Sequence, residues 1–232
     1  MKQFPVFIWR SAKKLFANLG VLLLVFIACL WILLALADMV FDENNTHFDE
    51  AVFASVTPYY NSTLTSIFEF ITFFGSHYFL LPANLLLVIF FISATKLRFY
   101  GWKIAIISIT GIAVMFWLKE ILERQRPIVP LISQAHGYSF PSGHSFSSFL
   151  FFGMTAYIVY KKVEHKTLKW LLIAFIAGFT LLIGFSRIYL KVHFATDVLA
   201  GFLLAAIWLT LAKWILVDRR KNLPPGIETL IG

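Results

Sequence analysis

Six separate apolar runs, 19–37, 77–95, 101–120, 143–160, 168–186 and 196–216, each about 18–21 residues long, constrain this chain more than any other feature. A run of that length crosses roughly 30 Å of hydrocarbon as a helix, and a helix satisfies its own backbone there. The runs occupy half of the 232 residues, and the connections between them are too short to fold a separate soluble domain. The expectation is an all-helical, polytopic membrane protein: one domain over 1–232 with six transmembrane helices and its chemistry on span ends and short loops. Only 14% of the residues are charged, against about 25% in soluble domains. Disulfide architecture is excluded, because the single cysteine, Cys29, lies in mid-span. Ala35-Leu36-Ala37 before Asp38 mimics a signal cleavage site, but a 19-residue apolar run exceeds the 7–15 of a signal core and reads as a retained span. The stretch 64–74, ending at Gly75-Ser76, is too short to cross alone and reads as a helix near the outer face that feeds the second span.

The net charge of +8 does not indicate nucleic acid once the basic residues are located. With the N-terminus in the cytoplasm, fifteen of the twenty lysines and arginines fall on one side, in both tails and in the connections near 96–103 and 161–169. The first outer loop carries Asp38, Asp42, Glu43, Asp49 and Glu50 and no cation. Both termini are therefore expected to be cytoplasmic.

Five cations remain outside: Lys119, Arg124, Arg126, Arg187 and Lys191. Single cations near span ends commonly snorkel to the interface, so their company decides. Lys119 and Arg126 are seven residues apart, which on a helix returns to nearly one face, and Pro127 marks where the chain turns away. Pro141-Ser142-Gly143-His144 opens the fourth span. A Ser-Gly helix start gathers free amides, a hydroxyl and the positive end of the helix dipole, which suits a phosphate. Ser186-Arg187 closes the fifth span, and His193 and Asp197 follow at i and i+4, where a carboxylate can fix an imidazole tautomer. Arg124 and Lys191 fall outside these groups and either guide anionic headgroups or snorkel, with snorkelling the favoured reading. His136 either lines the entrance or, the favoured reading, is an exposed loop histidine, and His47, His77 and His165 have no evident partner. Asn44-Asn45-Thr46 and Asn61-Ser62-Thr63 match the glycosylation pattern, a match that arises often by chance.

Three cations, a phosphate-binding helix start and two histidines, with no cluster of thiols or carboxylates for a metal, suggest phosphoryl transfer. Lys119-x6-Arg126-Pro127, Pro141-Ser142-Gly143-His144 and Ser186-Arg187-x5-His193-x3-Asp197 together resemble the three-part signature of the type 2 phosphatidic acid phosphatase superfamily, whose active site is similar to that of vanadium haloperoxidases. The resemblance implies a haloperoxidase-like bundle in which His193 attacks phosphorus and Asp197 orients it. It implies that Lys119, Arg126, Arg187, Ser142 and Gly143 bind the phosphoryl oxygens. His144 would protonate the leaving oxygen and then activate water. No metal, cofactor, nucleic acid or obligatory protein partner is expected. The substrate would be a lipid phosphate held in the bilayer of a bacterial cytoplasmic membrane. Family members of this compact kind act on phosphatidylglycerol phosphate, phosphatidic acid and undecaprenyl diphosphate, and an outward-facing site favours the last. A lipid transporter or scramblase on the same scaffold would want charges near the bilayer midplane, where these spans carry none.

Overall fold

A computed structural model of the protein describes residues 4–41, 47–94, 98–132 and 137–215. Their regular elements are helices: α1 (Phe4–Phe41), α2 (His47–Val56), α3 (Ser62–Phe73), α4 (His77–Ser93), α5 (Arg98–Leu122), α6 (Gly143–Lys162), α7 (Lys166–Tyr189) and α8 (Ala195–Ile215), with a 3-10 turn at Thr57–Tyr59. Among the described residues five stretches are long and apolar enough to cross a membrane: Gly20–Phe41, Ser62–Ser93 through α3 and α4, Arg98–Leu122, Lys166–Tyr189 and Ala195–Lys213. The sixth expected span is the 20-residue helix α6, which stands apart from those five. Its first turns carry His144, Ser145, Ser147 and Ser148, and these polar groups dilute its apolar character.

That polarity is affordable because α6 is central. It packs against α7 and α8 and touches α4 and α5, while α1 lies along α8 at the edge of the bundle. The core joins Phe91 of α4, Ile104 and Met115 of α5, Phe146, Leu150 and Met154 of α6, and Leu204 and Ala205 of α8. Hydrocarbon is as apolar as leucine, so helices in a bilayer associate by close packing of small residues and by internal polar pairs. A Cβ placed on Gly201 of α8 would come within 2.6 Å of the Ser142 carbonyl oxygen, so α8 lies almost backbone to backbone on the start of α6. Between α4 and α5, Asn84 donates to the Ser108 hydroxyl at 2.9 Å and Ser108 donates back at 3.2 Å.

The stretch 64–74 is helical, as expected, within α3. Asn61 caps it by accepting a bond from the Leu64 amide at 2.9 Å, and Gly75-Ser76 turns the chain directly into α4. His165 has a partner after all, since its Nδ1 accepts from the Leu168 amide at the start of α7. The His77 and Tyr78 rings lie with centroids 4.0 Å apart, tilted at 37°. Asp42, Glu43, Asn44-Asn45-Thr46, His136 and the cations beyond Ile215 lie outside the described residues.

Candidate active site

The site gathers where the C-terminal ends of α5 and α7 meet the N-terminal ends of α6 and α8. α7 is closed by a left-handed residue. Lys191 has φ 52°, its amide donates to Ile188 O at 3.0 Å, and the Val192 amide donates to Arg187 O at 3.1 Å. This pair of bonds is a Schellman cap, a place usually taken by glycine. It folds the chain back so that the His193 amide also reaches Arg187 O, at 3.3 Å. Lys191 is thus a capping residue, with Nζ 5.1 Å from the Tyr60 ring, and the snorkelling reading is corrected.

α8 starts two residues after His193, so the expected pairing does not run along a continuous helix. His193 Nδ1 nevertheless lies 3.2 Å from Asp197 Oδ2. The Phe194 amide donates to the same oxygen at 2.9 Å, the back-bond of a capping box. Ser139 also donates to Oδ2, and the Ser142 amide donates to the Asp197 carbonyl at 2.9 Å. His193 and Asp197 are buried. Burial drives the His193 pKa down to about 3, against the opposing hydrogen bond and charge of Asp197, so the ring is neutral at physiological pH.

Its tautomer follows from its neighbours. Arg126 Nη1 stands 3.1 Å from His193 Nε2, and a guanidinium only donates, so Nε2 accepts and Nδ1 carries the proton. Arg126 is fixed by further bonds to Val192 O at 2.7 Å and Gly137 O at 2.8 Å. The helical-face argument for Lys119 and Arg126 is corrected. α5 ends at Leu122, Glu123 adopts φ 43°, and Arg126 reaches the site from a loop. The two cations still converge, Lys119 lying within electrostatic reach of Arg126, Arg187 and Asp197. Lys119 Nζ donates to Tyr138 O at 2.6 Å.

Ser142 caps α6, accepting from the Ser145 amide at 3.4 Å and hydroxyl at 3.0 Å, and a hydroxyl that accepts still has a proton to donate. First-turn amides such as those of Gly143 and His144 have no intrahelical acceptor. A Cβ on Gly143 would stand 3.9 Å from Lys119 Cε, which puts this amide beside that cation. His144 is half-buried against Gly75 and within electrostatic reach of Arg187, His193 and Arg126. Arg187 is buried and donates from Nη1 to Thr72 Oγ1 at 2.8 Å, while its buried Nε has no partner among the described residues. A buried donor without an acceptor is costly, and an anion removes that cost. The eight expected site residues, Lys119, Arg126, Ser142, Gly143, His144, Arg187, His193 and Asp197, therefore share one locality.

Sequence reasoning missed Asp49, Thr72, Ser139 and Thr196, and misread Arg124. Arg124 does not snorkel: it pairs with Asp49 at 2.8 Å and with Asp197 at 2.5 Å, its side chain only 14% exposed. The signal available was its place on the side of the chain otherwise poor in cations. Nothing in the spacing of Asp49 or Thr72 could have found them, because they arrive from α2 and α3 across long stretches of chain.

A family profile described as the PAP2 superfamily matches residues 100–221. Phosphatidylglycerophosphatase B of Bacillus subtilis (strain 168) is 33% identical over 172 residues, covering 71% of this chain and 81% of that protein. The undecaprenyl-diphosphatase BcrC of the same organism is 30% identical over 154 residues, 64% of this chain and 73% of its own length. Among solved structures, a transmembrane PAP2-type phosphatidylglycerolphosphate phosphatase from Bacillus subtilis superposes with a TM-score of 0.75 at 27% identity, over 87% of this chain and 98% of that one.

Proposed function

From the premise that the chain belongs to the PAP2 superfamily and is a multi-pass membrane phosphatase, a hydrolase of phosphoric ester bonds, we propose that it removes phosphate from lipid phosphates through a phosphohistidine at His193. One observation carries this reading: a neutral imidazole whose Nδ1–H is tied to Asp197 and whose Nε2 lone pair faces the Arg126 guanidinium. A phosphoryl group drawn to that guanidinium arrives in front of the nucleophilic nitrogen.

In the first step Nε2 attacks phosphorus and the bond to the lipid oxygen breaks, with His144 supplying the proton that oxygen needs. In the second, His144 takes a proton from water as the water oxygen attacks phosphorus; the P–N bond breaks and inorganic phosphate leaves. Lys119, Arg126, the Nε of Arg187, the Ser142 hydroxyl and the Gly143 amide hold the non-bridging oxygens. Fixed cations in a partly dry site stabilise the charge of the transition state, so no metal is required. Asp197 is already engaged by His193, Arg124 and Ser139.

The six-span layout, with α6 as the sixth span, and a haloperoxidase-like site within the bundle complete the reading. The site faces outward and both termini lie in the cytoplasm, supported by the fifteen-to-five division of basic residues. In a Cys29→Ala background, Ile128→Cys should react with an impermeant thiol reagent in intact cells and Lys162→Cys should not; the reverse pattern overturns the orientation. For substrate we favour undecaprenyl diphosphate, which an outward site would meet, in line with the activity named for BcrC. The structural likeness to the Bacillus phosphatase favours phosphatidylglycerol phosphate as a second reading. Phosphate release from a panel of both lipids and phosphatidic acid, compared as kcat/KM, decides between them. Alkaline-quenched turnover with labelled substrate should trap an acid-labile phosphoprotein that His193→Ala lacks. Normal turnover by His193→Ala would overturn the mechanism.

A further inference from the structure

Arg124 lies at the centre of a buried cluster that the phosphate chemistry does not use. Its Nη2 donates to Asp49 Oδ2 at 2.8 Å, and its Nη1 to Thr196 Oγ1 at 2.8 Å and Asp197 Oδ1 at 2.5 Å. The Thr196 amide and hydroxyl donate in turn to Asp49 Oδ1 and Oδ2, at 3.0 and 2.7 Å. The Phe194 ring covers the guanidinium, with its centroid 4.1 Å from Cζ. Asp49 is 5% exposed, Thr196 1% and Asp197 0%. Asp49 belongs to α2, outside the residues 100–221 that match the family profile.

We propose that Asp49, Arg124 and Thr196 form a clamp that fixes Asp197, and through it His193, while preserving the negative charge that Asp197 presents to the ring. The inference rests on the reading of His193 as nucleophile. Two arguments support it. The first is geometric. His193, Phe194 N–H and Ser139 all engage Oδ2, so among the described residues it is the bond from Arg124 to Oδ1 that fixes the plane of the carboxylate. The second is electrostatic. When Nε2 bonds to phosphorus, positive charge develops on the ring, and Asp197 must stabilise it. Arg124 alone would cancel that carboxylate's charge. Asp49 neutralises Arg124 instead, so the three side chains together keep one net negative charge next to Nδ1–H. A positioning role of this kind leaves phosphate binding untouched and acts on turnover.

The test uses the full-length protein in detergent, with kcat, KM for a short-chain lipid phosphate and the inhibition constant of inorganic phosphate measured for each variant. Arg124→Gln and Asp49→Asn should each lower kcat about 10- to 100-fold, the range known for the partners that orient a metal-bound histidine, with KM and inhibition by inorganic phosphate unchanged. In an Asp197→Asn background, Arg124→Gln should have almost no further effect, because both changes break one linkage. Thr196→Val is close to isosteric and should reproduce the kcat loss if Arg124→Gln does not fold; unaltered kcat in that variant overturns the clamp. So does an Arg124→Gln loss of equal size in the Asp197→Asn background, or inhibition by inorganic phosphate that weakens in step with turnover, which would make Arg124 a phosphate ligand. His193→Ala is the control that separates the two readings. If it retains turnover, the nucleophile is wrong; if it is inactive while Arg124→Gln and Asp49→Asn turn over normally, only the clamp is wrong.

Discussion

α1 and α8 pack against each other and are both apolar over a membrane-crossing length, yet the protein uses them in opposite ways. Between Gly20 and Phe41 no residue of α1 is buried, and Leu24, Trp31 and Leu34 are turned outward. More than half of the corresponding stretch of α8 is buried, including Thr196 and Asp197. The more apolar of the two is the less buried. In a bilayer, hydrophobicity marks the surface that meets lipid, whereas the interior is where small and polar residues are matched to one another. The same division appears across the molecule: Ser139, Ser142, Ser145, Ser148, Ser186, Arg187 and His193 are all buried at the site end.

Substitution should therefore be severe in the matched interior and mild on the lipid face. The largest effect is expected for Arg187→Lys. Arg187 uses Nη1 on Thr72 and has a buried Nε–H that the proposed reading gives to the phosphoryl group, and one ammonium cannot serve both directions. A loss of about 10²–10³ in kcat/KM, the scale of a missing transition-state donor, should appear in steady-state assays. A value near wild type would mean Nε does not meet the phosphoryl group.

A smaller effect contrasts the two helices directly. A Cβ on Gly201 of α8 collides with the Ser142 carbonyl oxygen, whereas one on Gly20 of α1 meets nothing within 4 Å. Gly201→Ala should destabilise the protein by about 1–3 kcal/mol as an overpacking substitution, lowering its unfolding midpoint in detergent and its turnover. Gly20→Ala should leave both unchanged. Equal effects would erase the distinction between the helices.

The interior also has a pH signature. The folded-state pKa of His193, about 3, lies below its ordinary value near 6.5, so its contribution to stability is complete above pH 6.5 and is lost as pH falls towards 3. Below 6.5 the unfolded chain takes up a proton that the folded site excludes. Unfolding midpoints of wild type should thus drop more than those of His193→Gln between pH 7 and 5, and parallel curves would show that the ring titrates normally in the fold. The smallest effect belongs to the turn before it. Lys191 holds φ 52° in a position that glycine occupies without strain, so Lys191→Gly should stabilise the fold by about 1 kcal/mol. A lower unfolding midpoint would show that the contact of Nζ with Tyr60 outweighs the backbone strain.

Much of the site was readable because its parts are local. A Ser-Gly pair caps whatever helix follows it, and His193 and Asp197 are close enough in the chain to meet whether or not α8 extends back to the histidine. Lys119 and Arg126 approach each other by a route other than the expected helical repeat, since a loop brings Arg126 in. Arg124 was misread because a lone cation at a span end looks the same whether it faces headgroups or a buried acid.

By itself the sequence determined that its long apolar stretches must be helices and which side chains carry donors and lone pairs suited to a phosphate. Length and hydropathy leave apolar backbone in a bilayer no alternative to helices, and the motif residues carry their donors and lone pairs wherever they are placed. Only the tertiary structure decided which of those groups face one another. It sends Asp49 across from α2 to Arg124, sets Thr72 against Arg187 and brings α8 onto α6 at Gly201. The physical reason is that such contacts span long stretches of chain. Their partners are selected by the packing of whole helices, and no pattern of neighbouring residues encodes that packing.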